Sequence, residues 1–180
     1  MNKKNLYLKS RIKLKKFKDK SFKDLSTKFD RIFLEIKHDI KKNKKTLNVL
    51  DNDFKFNFKI KDLHRFKKFK TIALIGMGGS ILGAEAIYNF FQNKIKKKVY
   101  FFNDLNEKKI SNFKKKNLSS ILFIIISKSG NTIETLSNTF ALNILKKNSK
   151  NIILISEKKD NLLFSISNKL NLFYIEHKYN

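Results

Sequence analysis

Cysteine, proline and tryptophan do not occur in this chain, and glycine occurs only five times in 180 residues. Without cysteine there is no disulfide, no thiolate zinc site and no thiol nucleophile, which suits a cytoplasmic setting. Arginine is almost as scarce: Arg11, Arg31 and Arg65 stand against 38 lysines. No apolar run approaches the roughly 20 residues that a membrane-spanning helix needs. The longest, Ile121 to Ile126, is strand-sized. The N-terminus is basic but lacks the apolar stretch of a secretory signal, so no membrane association is expected.

Lysine, asparagine and phenylalanine are plentiful instead. With 41 basic and 15 acidic residues the formal charge is +26. Phosphate neutralisation would turn such a charge into a nucleic-acid footprint. Base-edge reading, however, favours the planar fork of arginine, and the excess here is lysine. Asn (21 residues), Ile, Lys and Phe rise together while Pro and Arg fall, the signature of a codon-usage bias. We read a solvated lysine surface that draws small anions in general, and keep a basic nucleic-acid-binding protein as the weaker alternative. An apolar content of 41% excludes a disordered chain, and the length allows a core of its own.

Two regions differ in pattern. Residues 1–68 read as a basic, largely helical segment. Phe29, Ile32, Phe33, Ile36 and Ile40 recur at helical spacing and predict an amphipathic helix. "NDFKFNFKIKDL" alternates like a strand or an extended connector, and a short helix is expected over Leu63 to Phe69. Residues 69–180 read as strands alternating with helices. Strands are expected at Thr71–Gly76, Val99–Asn103, Ser120–Ser127, Asn151–Ser156 and Leu172–Ile175. Helices are expected at Ser80–Gln92, Asn106–Lys116, Thr132–Lys147 and Asn161–Leu170. "ILFIII" is apolar without alternation, as in a parallel strand covered on both faces. The fold class is therefore α/β, a five-stranded parallel sheet in three αβα layers. Ligands of such sheets bind beyond the carboxyl ends of the strands.

The glycines gather at those ends. "GMGGS" (Gly76 to Ser80) joins the first strand to a helix, where glycine lets a ligand approach the backbone and the helix N-terminus offers unpaired N–H groups. Ser80 either caps that helix or donates its hydroxyl to a ligand. A dinucleotide fingerprint needs a third glycine where Ile81 stands, although Asp104 lies where a ribose contact would be. A Walker A loop needs lysine where Ala84 stands. The second turn, "SKSGNTIET", follows the third strand and sets Ser127, Ser129, Asn131, Thr132 and Thr135 around Gly130. Short hydroxyls with helix N-terminal amides suit a phosphate monoester. Asn131 or Thr132 is expected to cap the helix, with Glu134 in its first turn.

"IGMGGSILGAEA" together with "ISKSGNTIETL" resembles the N-terminal sugar-isomerase (SIS) domain of the glucose-6-phosphate isomerase family, over roughly Phe69 to Tyr174. The resemblance implies that Gly79 and Ser80 touch the sugar, and that Ser127, Ser129 and Thr132 hold the phosphate with the backbone N–H of Lys128 and its neighbours. It implies interconversion of glucose 6-phosphate and fructose 6-phosphate through an enediol, without metal or organic cofactor. It also implies a homodimer or a second domain as partner. The family's Gly-Gly-Arg motif and its catalytic Glu, His and Lys lie beyond this domain. We therefore expect a fragment or truncated product that binds a phosphosugar, with no catalytic residue assigned in this chain. Glu176, His177 and Lys178 match no family motif and read as a solvated end. A stand-alone phosphosugar-binding or regulatory module is the main alternative.

Overall fold

The computed structural model describes residues 20–41 and 55–177, which fall into two compact units. In the first, α1 (Lys20–Lys41) is one continuous helix. Its apolar residues Phe29, Ile32, Phe33 and Ile36 are all exposed, with Phe29 stacked on Phe33. An Arg31–Glu35 pair one turn apart adds a small local stabilisation. The stretches 1–19 and 42–54, including part of the alternating run read as a strand, lie outside the described residues.

The second unit is a five-stranded sheet of β1 (Thr71–Gly76), β2 (Lys98–Phe102), β3 (Ile121–Ile126), β4 (Ile152–Ser156) and β5 (Phe173–Glu176). Every neighbouring pair is parallel, in the spatial order β2-β1-β3-β4-β5. Four helices make the crossovers: α2 (Leu82–Phe91), α3 (Glu107–Lys114), α4 (Ile133–Ala141) and α5 (Leu162–Leu170). The first crossover runs outward from β1 and the next returns over it. Right-handed connections therefore place α2 on one face and α3, α4 and α5 on the other.

The core follows that division. Ala73, Ile75, Phe102, Phe123, Ile125 and Leu154 meet Ile110, Phe113 and Leu163 of the three-helix layer. Phe113 is the hub, packing edge-on against Tyr100, Phe102 and Phe123 with ring centroids 4.9, 5.0 and 6.4 Å away. On the other face Leu122 and Ile153 pack with Phe66 and Phe69. These come from a 3₁₀ turn, Ile60–Phe66, and the residues after it, where a short helix and a connector were expected. The contacts thus group residues 55–68 with the sheet. The helix α2 covers this face lightly: Tyr88 meets Phe101, while Ile87 and Phe90 stay exposed.

Helix α4 is shorter than its apolar pattern predicts. It ends at Ala141 because Asn143 takes a left-handed conformation (φ 52°), with Asn148 doing the same further on. Asparagine tolerates that region better than other non-glycine residues.

Truncating the hub tests which layer carries stability. Phe113→Ala should cost about 3–5 kcal/mol in urea unfolding, whereas Phe90→Ala on α2 (81% exposed) should change it by less than about 0.5 kcal/mol. Equal losses would mean that the α2 face contributes as much as the three-helix layer.

Candidate functional site

The order β2-β1-β3 makes the gap between β1 and β3 the point where the chain reverses its direction across the sheet. Open α/β sheets bind ligands at such a point. Gly76 pairs with Ile126 in the β1–β3 register. Met77 and Ser127 therefore leave the sheet side by side, about one strand spacing (~4.8 Å) apart. The turn after β1 then runs to one face and the turn after β3 to the other, opening a crevice between them. The two strand ends pack closely: a Cβ on Gly76 would lie 3.0 Å from the Ile126 carbonyl oxygen and 3.4 Å from the Ser80 Cβ.

After β1, residues Gly78–Ser80 make one 3₁₀ turn, closed by Ser80 N–H to the Met77 carbonyl and Ile81 N–H to the Gly78 carbonyl. Gly78 has φ +52°, which the turn requires and side chains resist. Added Cβ atoms at Gly78 or Gly79 would meet no atom within 4 Å, so this backbone faces open space. Of the two roles open to Ser80, capping is not taken. The cap position of α2 is Ile81, and no side chain bonds there. The anchor of the turn is Ile81, fully buried under it.

The turn after β3 gathers hydroxyls. Ser127, itself buried, places Oγ 2.8 Å from Thr132 Oγ1 and 3.5 Å from Ser129 Oγ. The same Oγ accepts from the Gly130 N–H at 3.1 Å, and Ser129 Oγ accepts from the Asn131 N–H at 3.3 Å. Thr132 occupies the N-cap position of α4, but its hydroxyl serves Ser127 and accepts nothing from the helix. Asn131 does not cap α4 either; its Oδ1 accepts from Leu162 N–H at the start of α5. The first-turn N–H groups of α4 are thus left without a side-chain cap, beside three hydroxyls, where the helix dipole is positive. Deeper in α4, Asn138 donates to the Asp104 carbonyl and ties in the loop after β2. The Asp104 carboxylate is engaged by Lys109 at 3.0 Å.

Two residues that the motifs did not bring out complete the edge. Asn161 caps α5 by accepting from Phe164 N–H at 2.9 Å, and its amide donates to the Glu157 carbonyl at 2.7 Å. Its side chain lies so close to Gly130 (φ +72°) that a Cβ there would collide with it. Glu157 is buried just after β4, its carboxylate 2.8 Å from the Lys159 ammonium and 4.0 Å from that of Lys128. The Lys159 interaction holds the Glu157 carboxyl below the usual carboxylate range, with Lys128 adding to it against the cost of burial. The Lys128 side chain is therefore directed to Glu157, while its carbonyl accepts from Glu157 N–H. The sequence signal for Asn161 was an asparagine ahead of a helical run; Glu157 carried none, since its role comes from contacts with Lys159 and Lys128.

Two outcomes check this construction. Gly130→Ala should lose more than the ~1–2 kcal/mol of left-handed strain, because the methyl also displaces Asn161; a smaller loss in chemical denaturation would mean the turn is loose. Stability contributed by Glu157 should be present above the ordinary carboxylate pKa of about 4.3 and be lost as pH falls through its depressed value. Thermal melts of Glu157→Gln between pH 3 and 7 should show a flatter acid limb than the parent.

A family model described as phosphoglucose isomerase matches residues 39–170, well over half of the chain. The glucose-6-phosphate isomerase of Borreliella afzelii is 35% identical over 122 residues, which cover 61% of this chain and 23% of the relative. That of Methanocaldococcus jannaschii is 43% identical over 75 residues, covering 41% of this chain and 18% of the relative. The chain thus spans less than a quarter of the length of these relatives. The crystal structure of a glucose-6-phosphate isomerase from Chlamydia trachomatis superposes with a TM-score of 0.52 at 22% identity, over 65% of this chain and 23% of that one, a likeness of fold. Both glycine turns and the hydroxyl cluster lie inside the matched region, and the chain belongs to the phosphoglucose isomerase family.

Proposed function

We propose that this chain is the N-terminal phosphosugar-binding domain of a glucose-6-phosphate isomerase, an enzyme of glycolysis and gluconeogenesis. The observation that carries the reading is the uncapped N-terminus of α4 beside the Ser127, Ser129 and Thr132 hydroxyls. A phosphate dianion there accepts from neutral donors without having to displace a bound side chain from the helix end. The backbone N–H of Lys128 belongs to the same cradle. Gly79 and Ser80, on the neighbouring open turn, contact the sugar.

The reaction moves a proton between C2 and C1 of the open-chain sugar through an enediol. It needs a base within hydrogen-bond reach of those carbons. We assign that role to no residue described here. Glu157 is unsuited to it, being ion-paired with Lys159 and held below the carboxylate range. The same reading places the protein in the cytoplasm, with a second domain or a second copy as its structural partner.

Calorimetric titration with glucose 6-phosphate tests the cradle. A hydrogen bond to a charged group contributes about 1.5–3 kcal/mol. Thr132→Val and Ser129→Ala should therefore each weaken binding about 10–100-fold, and free glucose should not bind measurably. Melting should be little changed in Ser129→Ala, and stability lowered by about 1 kcal/mol in Thr132→Val, which also loses its bond to Ser127. Retained affinity in the Ser129→Ala/Thr132→Val double variant would remove the phosphate from this turn.

A further inference from the structure

The sheet has a second edge. At its amino-terminal end lies a half-open cleft of about 520 Å³. Its walls come from three places: residues 65–68 before β1, 148–150 before β4, and 171–174 at the start of β5. All three are at the amino ends of strands, and the hydroxyl turn is at the carboxyl ends. The five residues of β4 at about 3.3 Å each separate the two places by roughly 15 Å.

We propose that this cleft is a separate anion site that takes the oligophosphate group of a small molecule. Arg65, Lys68 and Lys150 line it, and no carboxylate does so among the described residues. Arg65 is held in place. Its guanidinium lies 4.1 Å from the centroid of Phe173 and 4.9 Å from that of Phe66, and those two rings pack 5.2 Å apart. Aromatic stacking of this kind fixes the planar fork before a ligand arrives, so less freedom is lost when it grips a phosphate. In a chain with 38 lysines and three arginines, one of the three is fixed at a cleft in this way.

The backbone reduces what would oppose an anion here. A helix C-terminus is negative, and α5 ends at this cleft. Three of its last four carbonyls accept hydrogen bonds: Leu172 N–H bonds to Ser167, Asn171 N–H to Asn168, and Asn148 N–H to Leu170. Asn148 and Asn171, both with positive φ, are locked to each other by a 2.8 Å side-chain hydrogen bond. The volume sets the class of ligand. It lies within the range of small-molecule pockets, about 300–1,000 Å³, and exceeds what one phosphate fills. Three dispersed cations match the charge of a diphosphate better than that of a monoester. Free pyrophosphate and a nucleoside diphosphate share this chemistry.

Equilibrium dialysis with inorganic pyrophosphate, and separately with ADP, tests the site at physiological salt. Arg65→Gln/Lys150→Gln should weaken both at least tenfold. Lys108→Gln/Lys114→Gln, with the same charge change on α3, should shift them less than twofold, as should Ser127→Ala. ADP binding more tightly than pyrophosphate would support a nucleotide as the source, and equal affinity would support pyrophosphate itself. Equal losses in the two double variants, loss confined to Ser127→Ala, or no binding of either probe would each overturn the proposal. Failure here leaves the glucose 6-phosphate cradle untouched, because that is read with a different probe and different variants.

Discussion

The pairing of β1 with β3 is the constraint on which the rest depends. Once Gly76 is in register with Ile126, the two turns that follow must start a strand's width apart. Once the crossovers are right-handed, the helices those turns feed must lie on opposite faces. The crevice, the exposed amides of α4 and the open backbone of Gly78 and Gly79 all follow from these two facts. The apolar run "ILFIII" supports them, since a strand apolar at every position has to be covered on both faces of the sheet.

Charge has a smaller part in the cradle than the +26 of the chain suggests. The groups that converge after β3 are hydroxyls and backbone amides. The one lysine within the motif, Lys128, is turned to Glu157. A neutral, preorganised set of donors holds a phosphate by geometry, and the surface lysines supply a general attraction that salt screens. The opposite edge differs in kind, because there the donors are cations and the one with a planar fork is fixed by aromatic rings.

Legibility varied along the chain for physical reasons. The strands were readable to within a residue or so: β1, β3 and β4 are largely buried and so apolar almost throughout, and the half-buried β2 and β5 keep short aromatic and aliphatic runs. The hydroxyl cluster was readable because its members sit within six residues and their closure is local. The end of α4 was not: the apolar period ran on past Asn143, and only the packed backbone shows that residue turned left-handed. The boundary drawn after residue 68 followed a change in charge pattern. The contacts join residues 55–68 to the sheet because Phe66 and Phe69 cover an apolar face that α2 leaves half open. Asn161 and Glu157 stood about 30 residues from the motif they support, and nothing local to either reports that distance closing.

By itself, then, the amino-acid order determined the alternation of strands and helices, the parallel class of the sheet and the two turns that face its carboxyl edge. These depend on periodicity and on residue types that act over a few neighbours. Tertiary structure alone decided that neither Ser80 nor Thr132 caps its helix, where Lys128 points, and that Arg65 meets Phe173 at the far edge. Those outcomes depend on groups brought together from distant places in the chain, and the free energy of such contacts exists only after the sheet has closed.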